Sequence, residues 1–261
     1  MPKLAANISM MFSDLSLLDR IGAAAALGFR GVECQSPYAV PAPEMAARLA
    51  AHRIEAVLIN VPPGEGAADR GCAAVPGQEA AFAASLERAL AYARAIGCTR
   101  IHVLAGRAAP GRDTEALFIA NLQRASERAA AVGVTLLIEP LNARDNPGYF
   151  LRTTDQAVAL LDRIARSNVK LQFDFYHCQI SEGDLAQHAE RLAGRYAHVQ
   201  IAGVPGRNEP DRGEINYAYL LPLLDRLGYD GWVGCEYRPA AGTAEGLAWA
   251  RPWGIGADKR A

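Results

Sequence analysis

An α/β fold, and within it a single-domain (β/α)8 TIM barrel spanning residues 1–261, is predicted by three features of the sequence. Eight short apolar runs alternate with longer Ala/Leu/Arg-rich stretches. Four of those stretches end in a glycine just before the next run, at Leu27-Gly28, Ile96-Gly97, Val132-Gly133 and Leu227-Gly228. No G-x-G-x-x-G follows the first run and no G-x-x-x-x-G-K-[ST] occurs anywhere, which disfavours an open nucleotide-binding sheet.

The elements follow in order. A first strand over 4–9 leads to a helix over 13–27, whose trailing glycine accepts the left-handed conformation that ends a helix. Strands over 31–35 and 54–60 flank a helix over 41–52. Residues 61–77, rich in Gly, Pro and Ala, form a connection long enough to predict a lid. The helix over 78–96 repeats apolar Leu86, Leu90, Ala93 and Ile96 at helical spacing, as an outer-layer helix requires. Strands over 100–105, 134–139, 169–174, 196–201 and 232–236 then alternate with helices over 114–132, 153–166, 182–193 and 216–227. A poorer helix over 242–250 precedes a frayed tail at 258–261. Eight units in 261 residues average about 33 residues each, the size of a strand–helix module, and no linker divides the chain.

Composition narrows the function. At 51% hydrophobic and 21% charged, the chain has ordinary globular usage and enough length to bury a core without disulfides. Lys+Arg 27 against Asp+Glu 28 offers no basic field for phosphates, so nucleic acid is not an expected partner. Cys34, Cys72, Cys98, Cys178 and Cys235 are odd in number and contain no C-x-x-C pair, which argues against a disulfide framework and a zinc-finger site. The start MPKLAANISMMF has no secretory apolar core, and no long apolar run suggests a membrane span. The expectation is a cytoplasmic protein with no membrane partner.

In a βα barrel the working residues stand at the C-terminal ends of the strands. The fifth run ends at Glu139, the sixth at Asp174 and the eighth at Glu236, and Gln200 lies near the end of the seventh. A carboxylate after a strand is also a common N-cap of the next helix or a surface charge. Three carboxylates converging in a partly buried pocket repel one another, and either raised pKa values or a bound cation relieves the repulsion. Oxygen donors throughout, without His or Cys, suit a hard ion such as Mg²⁺ or Mn²⁺ better than zinc.

The phrases IEPLN (138–142), QFDFYHCQ (172–179), HVQIAGVPGRNEPDRGEINY (198–217) and GYDGWVGCEYRP (228–239) resemble the hydroxypyruvate isomerase group of the xylose isomerase-like TIM barrels. The long loop over 60–77, ANISMMF (6–12) and HVLAG (102–106) extend the resemblance over nearly the whole chain. The resemblance implies a metal-dependent aldose–ketose isomerase acting on a small hydroxy-oxo acid. It places the metal on Glu139, Asp174, Gln200 and Glu236, with Glu139 and Glu236 also serving as the acid/base pair. Ketohexose 3-epimerase relatives carry His where Gln200 stands, so the glutamine favours the isomerase branch.

His177, three residues after Asp174, is a candidate substrate-binding or supporting residue, against the alternative of a packed or capping His. Arg70 in the lid and Arg207 in the PGR phrase are candidates for pairing with a substrate carboxylate, against ordinary surface arginines. Glu209 and Glu214 are expected to organise their loop. His102 is a candidate inward-facing residue, whereas His52, His188 and His198 show no metal spacing. Cys235 should face away from the pocket by strand alternation.

The leading reading is conversion of hydroxypyruvate to 2-hydroxy-3-oxopropanoate through an enediolate. Its neighbours are a 2-oxo-tetronate isomerase, a metal-dependent sugar-acid epimerase or dehydratase, and a non-enzymatic small-molecule barrel holding a structural ion. A zinc AP-endonuclease-like role would need several further His ligands and a basic groove. Barrels of this kind often associate, so a homo-oligomer is compatible with the apolar excess on some helices.

Overall fold

A computed structural model of the chain describes residues 2–64 and 70–256. Residues 65–69 of the predicted lid and the predicted tail lie outside them. Eight parallel strands close into a barrel in sequence order, with helices outside: β1 (Lys3–Asn7), α1 (Leu17–Ala26), β2 (Gly31–Cys34), α2 (Ala42–His52), β3 (Glu55–Asn60), α3 (Glu79–Ile96), β4 (Arg100–His102) and α4 (Arg112–Ala130) in the first half. The second half is β5 (Thr135–Ile138), α5 (Thr154–Ile164), β6 (Val169–Asp174), α6 (Phe175–Ser181), α7 (Leu185–Arg191), β7 (Tyr196–Ile201), α8 (Tyr217–Arg226) and β8 (Trp232–Cys235). β1 pairs with β8, which closes the ring.

Local chemistry sets the helix ends. Ser16 caps α1 by accepting the Asp19 amide, so the helix predicted from residue 13 begins only at Leu17. Thr153 caps α5 through the Gln156 amide, and Asn216 caps α8 through Tyr219. Gly97 follows α3 in the left-handed conformation, as its place after Ile96 predicts.

Three differences from the sequence reading stand out. The short α6 fills a segment read as loop. β4 stops at His102 rather than 105. The last predicted helix is a 3-10 helix over Glu245–Trp253. No helix among the described residues is long and apolar enough to cross a membrane.

The main apolar core lies between strands and helices, while a small separate cluster of Ala5, Val57, Leu58, Leu137 and Trp232 gathers toward the N-terminal ends of the strands. Above it the barrel interior is polar: Asn7, Glu33, Gln172, His198 and Gln200 are all buried. An apolar plug beneath a polar layer confines solvated chemistry to the C-terminal rim.

The second half of the long 61–77 connection is built into that rim. The Gly71 amide donates to the Pro63 carbonyl at 3.0 Å, Ala74 donates to the Ala105 carbonyl at 2.7 Å, and Asn121 donates to the Ala73 carbonyl at 2.8 Å. Cys72, Ala73 and Ala74 are buried. Gly71 has φ +90°, and a Cβ there would overlap Leu104, so this position requires glycine. The segment at 71–74 is therefore fixed against the rim.

Candidate active site

A cavity of about 620 Å³ opens at the C-terminal ends of the strands. Glu139, Glu236, His177, Arg70 and Arg207 are on its wall. Asp174 and Gln200 are buried and are not wall residues of this cavity. β6 and β7 run in register so that Gln172 faces His198 and Asp174 faces Gln200, which stacks these inward side chains in two layers.

Glu139, Asp174 and His177 form one cluster, with a ligand atom from each lying within 4.8 Å of the others. Asp174 is both the last residue of β6 and the N-cap of α6. Its Oδ1 accepts the Tyr176 amide at 2.7 Å, while Oδ2 is buried with no hydrogen-bond partner among the described residues. The capping role and a site role, alternatives in the sequence, thus fall on different oxygens. Glu139 Oε1 is likewise buried without such a partner, and its Oε2 lies 3.5 Å from His102 Nδ1.

The tautomer of His177 follows from its neighbours. Its Nδ1 accepts the Asn142 backbone N–H at 3.1 Å and faces the Asn142 side-chain amide at 2.6 Å. A neutral imidazole that accepts at Nδ1 carries its proton on Nε2. Burial, reinforced by the Arg207 charge, pushes the His177 pKa well below its ordinary value, so the ring is neutral. His177 therefore presents an N–H rather than a lone pair, 3.6 Å from Asp174 Oδ2. A hydrogen-bond donor suits a substrate oxygen, not a cation.

Glu236 accepts the Gln35 side-chain amide on Oε1 and Arg207 Nη2 on Oε2 at 2.8 Å. The same Arg207 Nη2 stands 3.6 Å from Asp174 Oδ2, and the guanidinium lies 4.8 Å from the Tyr176 ring centre. Arg207, expected to meet a substrate carboxylate, thus bridges two of the chain's own carboxylates. Burial opposes its charge, but Glu236, Asp174 and Glu139 outweigh burial and hold its pKa up. Arg70 is exposed at the cavity mouth. Gln200 donates from Nε2 to Glu33 at 2.9 Å and accepts from Gln172 at 2.6 Å.

The carboxylates are uncomfortable as anions. Burial first, then Glu236 and Asp174, raises Glu139 well above the usual carboxylate range. Burial raises Asp174 to about 7 against the opposing pull of Arg207, and burial raises Glu236 as well. His102 falls to about 3, through burial and then His198. Crowding these carboxylates in a buried rim therefore disfavours their ionised forms, and one guanidinium, that of Arg207, only partly offsets this.

Several partners escaped sequence reasoning. Gln35 closes the predicted second strand, Asn142 ends the IEPLN phrase, and Tyr176 precedes His177, so each sat inside a marked phrase without a chemical signal of its own. Asp145 accepts the Tyr176 hydroxyl at 2.7 Å and the Asn142 amide at 3.1 Å, bracing this side of the cavity. Gln172 opens the QFDFYHCQ phrase without a chemical signal of its own, and Glu33 is absent from any motif. Of the residues expected to organise the loop, Glu209 accepts the Ala240 amide at 3.0 Å and Glu214 accepts from Gln179 at 3.2 Å. Cys235 lies in the apolar core.

Comparison with known proteins agrees with this architecture. Residues 21–253 match the xylose isomerase-like TIM barrel family. A 2-oxo-tetronate isomerase of Cupriavidus necator is 52% identical over 257 residues, covering 97% of this chain and 99% of that protein. A hydroxypyruvate isomerase of Escherichia coli is 41% identical over 257 residues, covering 97% and 100%. A crystal structure titled AP endonuclease, family 2, from Brucella melitensis superimposes with TM-score 0.95 at 45% identity, covering 97% of this chain and 99% of that one. The chain therefore belongs to the xylose isomerase-like TIM barrels and, within them, to the hydroxypyruvate and 2-oxo-tetronate isomerase family of isomerases.

Proposed function

We propose that this isomerase depends on a divalent cation, Mg²⁺ or Mn²⁺, and interconverts hydroxypyruvate and 2-hydroxy-3-oxopropanoate through an enediolate. One observation carries the reading: Glu139, Asp174 and Glu236 are buried together, with Glu139 Oε1 and Asp174 Oδ2 lacking hydrogen-bond partners among the described residues. Orphaned, buried carboxylate oxygens of raised pKa fit a hard cation, and all-oxygen donors favour Mg²⁺ or Mn²⁺ over zinc. Glu139, Asp174, Gln200 and Glu236 would hold it. When bound, the cation supplies Lewis-acid polarisation and offsets negative charge developing on the two substrate oxygens.

The remaining steps belong to side chains. One of Glu139 and Glu236 removes a proton from C3 of hydroxypyruvate, and a proton is delivered to C2 from the other. The 3-hydroxyl loses its proton as the former ketone oxygen gains one, so the carbon skeleton and overall oxidation level are unchanged. The Nε2–H of His177 donates to a substrate oxygen. Arg70 and Arg207 offer cations to the carboxylate, Arg207 by leaving part of its pairing with Glu236.

A second substrate, 2-oxo-tetronate, is supported by cavity space well beyond a three-carbon acid and by the 52% identical relative. One extra carbon changes binding by only ~1–3 kcal/mol, so the same machinery accepts either. The test is turnover of both acids after chelation, with Mg²⁺, Mn²⁺ or Zn²⁺ added back singly. Mg²⁺ or Mn²⁺ should restore activity; recovery with Zn²⁺ alone, or full activity without metal, would contradict the proposal.

A further inference from the structure

We infer that Glu33, a buried residue of β2 outside every motif, is a positioning residue that fixes which atom of Gln200 meets the cation. The inference rests on the proposed role of Gln200 as a ligand. A glutamine side chain offers an oxygen at one corner and an NH₂ at the other, and only the oxygen coordinates a hard cation. Something must choose the corner, and the structure contains a chain of hydrogen bonds that does so.

The chain begins at the backbone. The Ser9 N–H donates to Asn7 Oδ1 at 3.0 Å, which obliges Asn7 to turn its NH₂ the other way. That NH₂ donates to Glu33 Oε1 at 2.8 Å. Glu33 Oε1 also accepts from Gln200 Nε2 at 2.9 Å, and Oε2 lies 2.6 Å from His198 Nε2. Glu33 Oε1 accepts in both the Asn7 and the Gln200 bond, so it holds the NH₂ corner of Gln200 and turns Oε1 of Gln200 away. That oxygen accepts from Gln172 Nε2 at 2.6 Å on one lone pair and keeps the second. The same polarity passes on: Gln172 Oε1, on a residue of the cavity wall, is buried without a partner among the described residues.

The barrel makes room for this device. Glu33 reaches from β2 to β7 across β8, where Gly234 stands. A Cβ on Gly234 would overlap the Glu33 carboxylate. Glu33 is itself buried, as are Asn7, His198 and Gln200, so no solvent replaces a lost partner.

Titration with Mn²⁺, followed by the electron-paramagnetic resonance of free Mn²⁺, tests this without turnover. E33M keeps much of the length but removes both acceptor oxygens, so nothing holds the NH₂ corner of Gln200 and its amide is free to turn. Loss of an outer hydrogen-bond partner typically weakens metal binding about 10–100-fold, and at least a tenfold loss is expected here. In the Q200E background every orientation presents an oxygen, so adding E33M should not weaken Mn²⁺ further. Gly234→Ala, which displaces the carboxylate sterically, should weaken Mn²⁺ binding as E33M does and serves if E33M fails to fold. Unchanged Mn²⁺ affinity in folded E33M or Gly234→Ala, or an equal loss with and without Q200E, overturns the inference. Wild-type protein that binds no Mn²⁺ overturns the metal reading, and equal binding after Gln200→Ala overturns the ligand role of Gln200; each takes this inference with it.

Discussion

Asp174 uses its two oxygens differently, one capping α6 and the other buried without a hydrogen-bond partner among the described residues, 3.6 Å from Arg207. The second oxygen makes the residue a pH reporter. Its folded pKa, raised to about 7, lies above the value of about 3.9 for an unfolded aspartate. A raised carboxylate pKa stabilises the fold fully below the unfolded pKa, and that contribution is lost as pH rises through the folded one. Metal-free protein is therefore expected to lose part of its thermal stability between about pH 4 and pH 7. Asp174→Asn should remove that part, and thermal melts across this range check it; an unaltered pH profile in the variant counts against the assignment. Glu139→Gln and Glu236→Gln each remove a proton carrier while keeping volume. Turnover is expected to fall by about 10²–10⁴ in each, and a variant with full turnover would show that its residue moves no proton.

At the scale of the element, the base of the long connection is the part most sensitive to a small change. Gly71→Ala meets both a φ of +90° and the Leu104 side chain and carbonyl. A destabilisation of about 1–3 kcal/mol is expected from the conformation, read by denaturant unfolding; a change within 0.5 kcal/mol, about that of an ordinary surface substitution, would mean the segment is not held as described. Elements were legible where pattern and length agreed: β5 is a short apolar run, β6 alternates apolar Val169, Leu171 and Phe173 with polar residues, and α3 carries both a helical stripe and its closing glycine. α6 was not legible because FYHCQIS follows β6 without a break and is too short for a periodicity to show. The strand-end carboxylates could be read from position alone. The pairing of Gln200 with Glu33 could not, since the two are 167 residues apart and meet only when the barrel closes. Nor could the Arg207 bridge, which needs the geometry of two separate strand ends.

Across the whole molecule, closure of the ring explains how a chain of net charge −1 concentrates repelling carboxylates at one place. β5, β6 and β8 deliver them to one rim, above a barrel interior filled by apolar and hydrogen-bonded side chains. In the proposed function this rim takes an offsetting cation and an anionic intermediate whose protons move between Glu139 and Glu236. That claim is tested most directly by incubating the protein, loaded with Mg²⁺ or Mn²⁺, with hydroxypyruvate in D₂O and following C3 and the aldehyde by NMR. Deuterium entering at C3 together with 2-hydroxy-3-oxopropanoate, both lost in Glu236→Gln, is the predicted result. Neither exchange nor aldehyde above the protein-free control would contradict the account for this substrate.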